Sequence, residues 1–316
     1  MKTFLGCSVG VSATLLLVLT LVSRTTGAQS QQTSPSSPPT DSTATPDHAV
    51  NLIFTVASHG AFVKDLKREQ FTVLDNKRPP KKLLAFEAET ALPLRLGLLM
   101  DASNSVRNHF VGQQQAAVKF LEQSIRSDKD QAFVVAFNER AAIAQDYTND
   151  ASQLAKGVMA IRPGGGTALW DALYYVSRER LMPGPRDKTF VRRVIIVVSD
   201  GDDNQSHFTR KEATEMLQRA GVIVYAISTN QGKVDDRGDS DLKALADATG
   251  GRAFLFDDTR NIADALRKVA EELQSQYCIT YEPDAPDANG QFRSVQIAVD
   301  DKKLKVRAQK GYFPRQ

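Results

Sequence analysis

Leu94-Arg-Leu-Gly-Leu-Leu-Met100 followed by Asp101-Ala-Ser-Asn-Ser105 is the stretch that decides the fold. The first seven residues form an apolar run of strand length, and Val106 to Arg126 reads as a helix. D-x-S-x-S is therefore a strand-to-helix turn in an α/β unit. Such turns lie outside the carboxyl ends of the strands, where open sheets bind their ligands. A carboxylate and two hydroxyls gathered round one point suit a hard divalent cation. Asp and Ser at a turn are also ordinary helix caps, so the string takes its meaning from what accompanies it.

Two further segments accompany it. Ile161-Arg-Pro-Gly-Gly-Gly-Thr167 opens a helix beginning Ala168-Leu-Trp-Asp-Ala-Leu, and its glycines allow a tight fold that aims the Thr167 hydroxyl inward. Val194-Ile-Ile-Val-Val198 is a β-branched run suited to a buried parallel strand, and it ends in Ser199-Asp200-Gly201. Asp200 thus occupies a strand end like that of Asp101. If the two strands are neighbours, two carboxylates and three hydroxyls converge on one crevice, and every donor is an oxygen.

This set resembles the metal-ion-dependent adhesion site of von Willebrand factor type A domains, whose pattern is D-x-S-x-S, then a threonine, then an aspartate. The resemblance implies that Ser103, Ser105 and Thr167 contact a Mg²⁺ ion, with Asp101 and Asp200 binding it directly or through water. The chemistry agrees, because Mg²⁺ prefers about six oxygen ligands at about 2.0–2.1 Å and retains water where carboxylates are few. A position then stays open for a partner's carboxylate.

The rest of the chain sets that turn in context. At 316 residues there is material for one large or two modest domains. Lys2, an apolar stretch from Val9 to Val22, and Thr26-Gly-Ala28 read as a secretory signal over residues 1–28. An uncleaved membrane anchor is the alternative, but the apolar stretch falls short of the about 20 residues a span needs. Without Lys2 and Arg24, 38 basic face 37 acidic residues, a formal net charge of +1, and nothing points to nucleic acid. Cys7 goes with the signal, so Cys278 is left without an internal disulfide partner and reads as a small buried hydrophobe.

Residues 29–47 hold 16 Ser, Thr, Pro or Gln among 19 positions and read as a disordered linker. Residues 48–90 carry short strands, Val50 to Val56, Phe71 to Leu74 and Leu83 to Phe86, separated by His59-Gly60 and Asn76-Lys-Arg-Pro-Pro80 turns. Over residues 91–276 strands and helices alternate, which predicts a doubly wound, mostly parallel α/β sheet of Rossmann-like type. Ala141 to Gln145 reads there as a hairpin-linked edge strand, a feature of the type A fold. Residues 277–316 return to strands, Tyr277 to Tyr281, Phe292 to Val299 and Leu304 to Ala308. The two all-β flanks are expected to pair into one small sheet module.

Phe71-Thr-Val-Leu-Asp75, Gln276-Tyr-Cys-Ile-Thr-Tyr281, Gly290-Gln-Phe-Arg293 and Lys310-Gly-Tyr-Phe313 are similar to phrases in the exported VWFA-related proteins typical of Acidobacteria. The resemblance spans roughly residues 48–314 and implies a periplasmic, cell-envelope or secreted setting, with no assigned reaction. Val106 stands where that family often has Met after D-x-S-x-S.

The reading that follows is a metal-dependent protein-binding module, adhesive or scaffolding, whose Mg²⁺ (or Mn²⁺ or Ca²⁺) takes an Asp or Glu carboxylate from another protein. Two accounts compete: a structural envelope protein merely stabilised by the ion, and a Mg²⁺-dependent hydrolase. Against an enzyme, no G-x-x-x-x-G-K-S/T nucleotide loop occurs, Gly164-Gly-Gly166 lacks the lysine it requires, and His48, His59, His109 and His207 are scattered without a nucleophile signature. Arg237-Gly-Asp239 matches a tripeptide that some integrins recognise, but three-residue matches are common by chance and Asp239 or Ser240 is readily explained as a cap of a helix running to Thr249.

Overall fold

The computed structural model describes residues 48–88, 92–182, 184, 190–230, 237–255, 262–284 and 290–314. The expected signal (1–28) and linker (29–47) lie outside them. No helix among the described residues is long and apolar enough to cross a membrane.

A six-stranded sheet forms the centre. It contains β5 (Leu94–Asp101), β6 (Gln131–Phe137), β7 (Ala141–Thr148), β8 (Arg192–Ser199), β9 (Val222–Ser228) and β10 (Ala253–Phe254), in the order β10-β9-β8-β5-β6-β7. All neighbours run parallel except β7, which returns antiparallel beside β6 as an edge strand. Every residue of β8 and β9 is buried, because helices cover both faces. Leu96, Leu98, Met100, Val194, Ile196 and Val198 pack on one face with α1 (Phe110–Ser124), α2 (Ala151–Ala160) and α6 (Ile262–Leu273). Leu99, Ile195 and Val197 pack on the other with α3 (Leu169–Val176), α4 (Arg210–Ala220) and α5 (Arg237–Thr249).

This order has one functional consequence. From β5 the chain builds toward β6 and β7, then crosses back to build β8, β9 and β10 on the other side. The order reverses between β5 and β8, which opens a crevice at their carboxyl ends. Met100 is registered with Val198, so Asp101 and Ser199 end their strands at the same height. The helix expected from Val106 starts later: Arg107–His109 is a 3-10 turn, and the α-helix begins at Phe110. The four residues from Val106 to His109 thus lie between the D-x-S-x-S turn and the α-helix.

The flanks divide between two sheets. β1 (Val50–Ser58) pairs with β2 (Ala61–Phe62), β11 (Gln276–Glu282) and β13 (Leu304–Ala308), and β11 pairs with β4 (Lys82–Ala88). β3 (Phe71–Asp75) pairs instead with β12 (Arg293–Val299), whose far edge takes β14 (Gly311–Tyr312). Residues of β12 alternate buried and exposed, as in a sheet with one wet face, and the inner faces share Phe54, Phe71, Tyr277, Ile279, Tyr281 and Ile297. The unit sits at the amino-terminal ends of the α/β strands. There Arg192 donates to the Leu273 carbonyl at 2.9 Å and to Gln276 Oε1 at 3.1 Å.

One buried ion pair ties four strands of this unit together. Asp75 accepts from Arg293 Nε at 2.8 Å, from the Tyr281 hydroxyl at 3.1 Å and from the Tyr312 hydroxyl at 2.8 Å. Burial and the Asp75 charge push both phenols far up, so neither ionises in ordinary buffers. Asp75→Ala takes the carboxylate from a buried guanidinium and should destabilise the protein by about 3–5 kcal/mol, read as a lower urea midpoint with an unchanged m-value. A midpoint within error of wild type would show that the pair is dispensable.

Candidate metal centre

Five residues singled out in the sequence lie around the crevice, and hydrogen bonds join four of them. Asp101 ends β5 with no exposed surface. Its Oδ1 accepts from the Ser103 amide at 2.8 Å, and its Oδ2 from the Ser199 hydroxyl at 2.6 Å. Ser103 and Ser105 hydroxyls lie 2.9 Å apart, and Ser105 donates to Asp200 Oδ2 at 2.6 Å. Asp200 Oδ1 accepts from the Asp202 amide at 3.1 Å. Ser103 and Asp200 are buried while Ser105 is exposed, so the cluster opens to the surface at Ser105.

Thr167 is buried in a loop stapled to both of the others. On one side, Gly164 donates to the Ala102 carbonyl at 2.7 Å, and Asn104 donates to the Gly165 carbonyl at 3.1 Å. On the other, the Asn204 and Gln205 amides both donate to the Thr167 carbonyl at 3.0 Å, and the Thr167 amide donates to Asn204 Oδ1 at 3.0 Å. Gly165 has a φ of +90°, a conformation glycine adopts without strain, and it turns the chain back toward Ala168. Asn138 secures that turn from β6, donating to the Gly164 carbonyl at 2.7 Å.

The same loops cap one helix. Asp203 Oδ2 accepts from the Trp170 amide at 3.2 Å and the Ser206 hydroxyl accepts from Asp171, which serves the free amides of the first turn of α3. Asp171 reciprocates, accepting from the amides of His207 and Phe208 at 2.8 Å. Of the residues that could face a partner, Trp170 is therefore core and Asp203 is a brace, while Asn104 and Asp202 are exposed. Exposed Asn204 holds the Thr167 amide as well.

Sequence reasoning overlooked the supports. Ser199 was visible as a polar residue closing a β-branched run, and it serves Asp101 rather than a ligand. The Arg237-Gly-Asp239 string begins α5 instead of lying in a free loop, and Gly238 is buried.

Burial raises the Asp101 carboxyl from 3.8 to about 6, with the Asp200 charge adding to the effect, and the bonds from Ser199 and Ser103 oppose the shift without cancelling it. A buried carboxylate this poorly compensated calls for a positive charge beside it. The donor set consists of carboxylate and hydroxyl oxygens and so fits a hard divalent cation. No group of three or more His, Cys, Asp or Glu able to hold a metal occurs among the described residues, so the hydroxyls must carry part of any coordination here.

A doubly wound sheet with D-x-S-x-S at its switch point, braced against a threonine loop and a second aspartate, defines a von Willebrand factor type A domain. Residues 96–275 match the family described as von Willebrand factor type A domain, and the chain belongs to that family. Among solved structures it is similar to proximal thread matrix protein 1 from the mussel byssus, with 21% identity and a TM-score of 0.49, covering 63% of this chain and 49% of that one. It is also similar to a von Willebrand factor type A protein from Catenulispora acidiphila (14% identity, TM-score 0.49, 85% of this chain and 72% of that one). A third is an aerotolerance-related membrane protein from Bacteroides fragilis (17% identity, TM-score 0.47, 57% of this chain and 98% of that one). The chain spans about half the length of the mussel protein. No curated protein matches the sequence.

Because its folded pKa is raised, the stability that protonated Asp101 contributes is fully present below 3.8 and is lost as pH rises through about 6. In chelator, the protein should therefore gain stability as pH falls from 7 toward 5. Asp101→Asn, whose side chain cannot ionise, should flatten that pH dependence between pH 5 and 7. Thermal melts in EDTA read both effects, and a mutant that keeps the wild-type pH dependence would refute the account.

Proposed function

We propose that this is an exported protein-binding module, and that Asp101, Ser103, Ser105, Thr167 and Asp200 hold a divalent cation through which it captures its partner. Mg²⁺ suits the set best, with Mn²⁺ or Ca²⁺ as alternatives. The observation that carries the reading is the hydrogen-bonded cluster of Asp101, Ser103, Ser105 and Asp200 at the ends of adjacent strands, reaching the surface at Ser105. When bound, the ion supplies a coordination position for an Asp or Glu carboxylate oxygen of another protein.

The protein's own residues set the conditions for that contact. Buried Asp101 provides a charge that water neutralises poorly, which strengthens its hold on a cation. Gly164 and Gly165, bonded to Ala102 and Asn104, keep the threonine loop against the aspartate turn, so the oxygen set is assembled before any ligand arrives. Arg107 donates to Asn104 Oδ1 at 2.9 Å and stiffens the exposed rim. The signal-like residues 1–28 support a periplasmic, cell-envelope or secreted setting, with membrane contact through an uncleaved signal as the alternative.

The test is capture from a cell-envelope extract in Mg²⁺ and in chelator, using wild type, Asp101→Ala and Asp200→Ala. Proteins retained by the wild type in Mg²⁺ should be lost in chelator and with both variants, while each variant still melts cooperatively. Identical capture with and without the cation would sink the proposal. Variants that no longer fold would assign the ion a structural role instead.

A further inference from the structure

The Arg237-Gly-Asp239 string, which adhesion would require to be free, is built into the underside of the Asp200 loop. Gly201 has a φ of +78°, and a Cβ placed on it would lie 2.4 Å from the Gly238 carbonyl oxygen. A Cβ on Gly238 would lie 2.3 Å from the Asp200 carbonyl oxygen. The two backbones are thus in direct contact, and the first turn of α5 backs the loop with no side chain between them.

Polar bonds lock the same contact. Asn230 Nδ2 donates to the Asp200 carbonyl at 2.8 Å and to Asp239 Oδ1 at 2.9 Å. Ser228 donates to Asp239 Oδ1 at 2.5 Å, and its hydroxyl accepts from the Asn230 amide at 3.1 Å. The two hydrogens of the Asn230 amide are divided between two oxygens. A flipped amide would set oxygen against oxygen at both, so the Asp239 carboxylate fixes which way Asn230 points. Asp239 directs its charge to Ser228 and Asn230, and Arg237, almost fully exposed, lies 4.0 Å from Asp241.

We infer that Asp239 is a positioning residue for Asp200: through Asn230 and the Gly201–Gly238 contact it holds the Asp200 loop where its carboxylate meets Ser105. The inference rests on the cation-site reading above for its consequence, cation affinity, but its structural half stands without a cation. Outer partners of metal ligands typically contribute about ten- to a hundredfold in affinity.

Two measurements test it on the full chain. In chelator, amide hydrogen exchange at Gly201 and Asp202, whose N–H groups bond Ser199 Oγ and Asp200 Oδ1, should be faster in Asp239→Ala and unchanged in Asp239→Asn, which keeps an acceptor oxygen. By calorimetric titration with MgCl₂ and MnCl₂, Asp239→Ala should bind about ten- to a hundredfold more weakly, and Asp239→Asn close to wild type. If Asp239→Ala does not fold, Asn230→Ala, which removes the shared donor, should give the same two changes. Unaltered exchange in a folded variant would overturn the clamp, and faster exchange with unaltered cation affinity would overturn its role at the site. A wild type that binds neither ion would overturn the site reading instead, whatever the exchange rates show.

Discussion

The burial of one carboxylate, that of Asp101, at the end of the central strand constrains everything around the crevice. It sits with no exposed surface, in a sheet that helices cover on both faces, near a second carboxylate just past the end of the neighbouring strand. A charge in that place requires compensation, and the Ser103 amide and the Ser199 hydroxyl supply only part of it. The carboxyl's raised pKa is the measure of the shortfall. A chain selected for stability alone would put an apolar or amide side chain there.

The loops around Asp101 are rigid for a related reason. Three turns separated by long stretches of chain have to agree on one set of positions. Each holds its neighbour through backbone groups: Ala102 with Gly164, Asn104 with Gly165, Thr167 with Asn204 and Gln205. Backbone bonds of this kind leave side chains free for other work. Reciprocal capping of α3 by Asp203 and Ser206, answered by Asp171, couples the threonine loop to the Asp200 loop a second time. The result is a preassembled cluster of oxygens rather than one that a ligand must gather.

The alternation of strands and helices from Leu94 onward was plain in the sequence, because short runs such as Val194 to Val198 are rich in β-branched residues and suit buried parallel strands. The D-x-S-x-S turn was legible for the same reason, since it interrupts such a run with oxygen-bearing side chains. What stayed hidden was support from residues whose partners are remote in sequence. Nothing in Asn230 or Asp239 announces a bond to the Asp200 loop, and the sequence offered Asp239 as a helix cap rather than as a partner of Asn230. The assignment of β3 to a second sheet was equally illegible, because Phe71-Thr-Val-Leu-Asp75 alternates as any half-buried strand does, and its pairing with β12 is settled by the Asp75–Arg293 bond some two hundred residues away.

The β unit is joined to the α/β domain at the end opposite the crevice, and the join is more than a covalent link. Ile53 and Cys278 belong to the same apolar cluster as Leu94 and Leu273, so the two parts share core as well as chain. Glu272 on α6 is buried in the seam, where Thr55 Oγ1 donates to it at 3.4 Å from β1 and the charges of Arg307 and Arg252 offset part of its burial. Burial dominates and raises its pKa, so the stability it contributes is fully present below its ordinary value of 4.5 and is lost as pH rises through the raised one. β4 and β11, the strands on either side of the α/β segment, pair with each other and bring its two ends together, which closes the segment into a loop. Both ends of the segment that carries Asp101 are therefore anchored in one sheet, at the end of the molecule opposite the crevice.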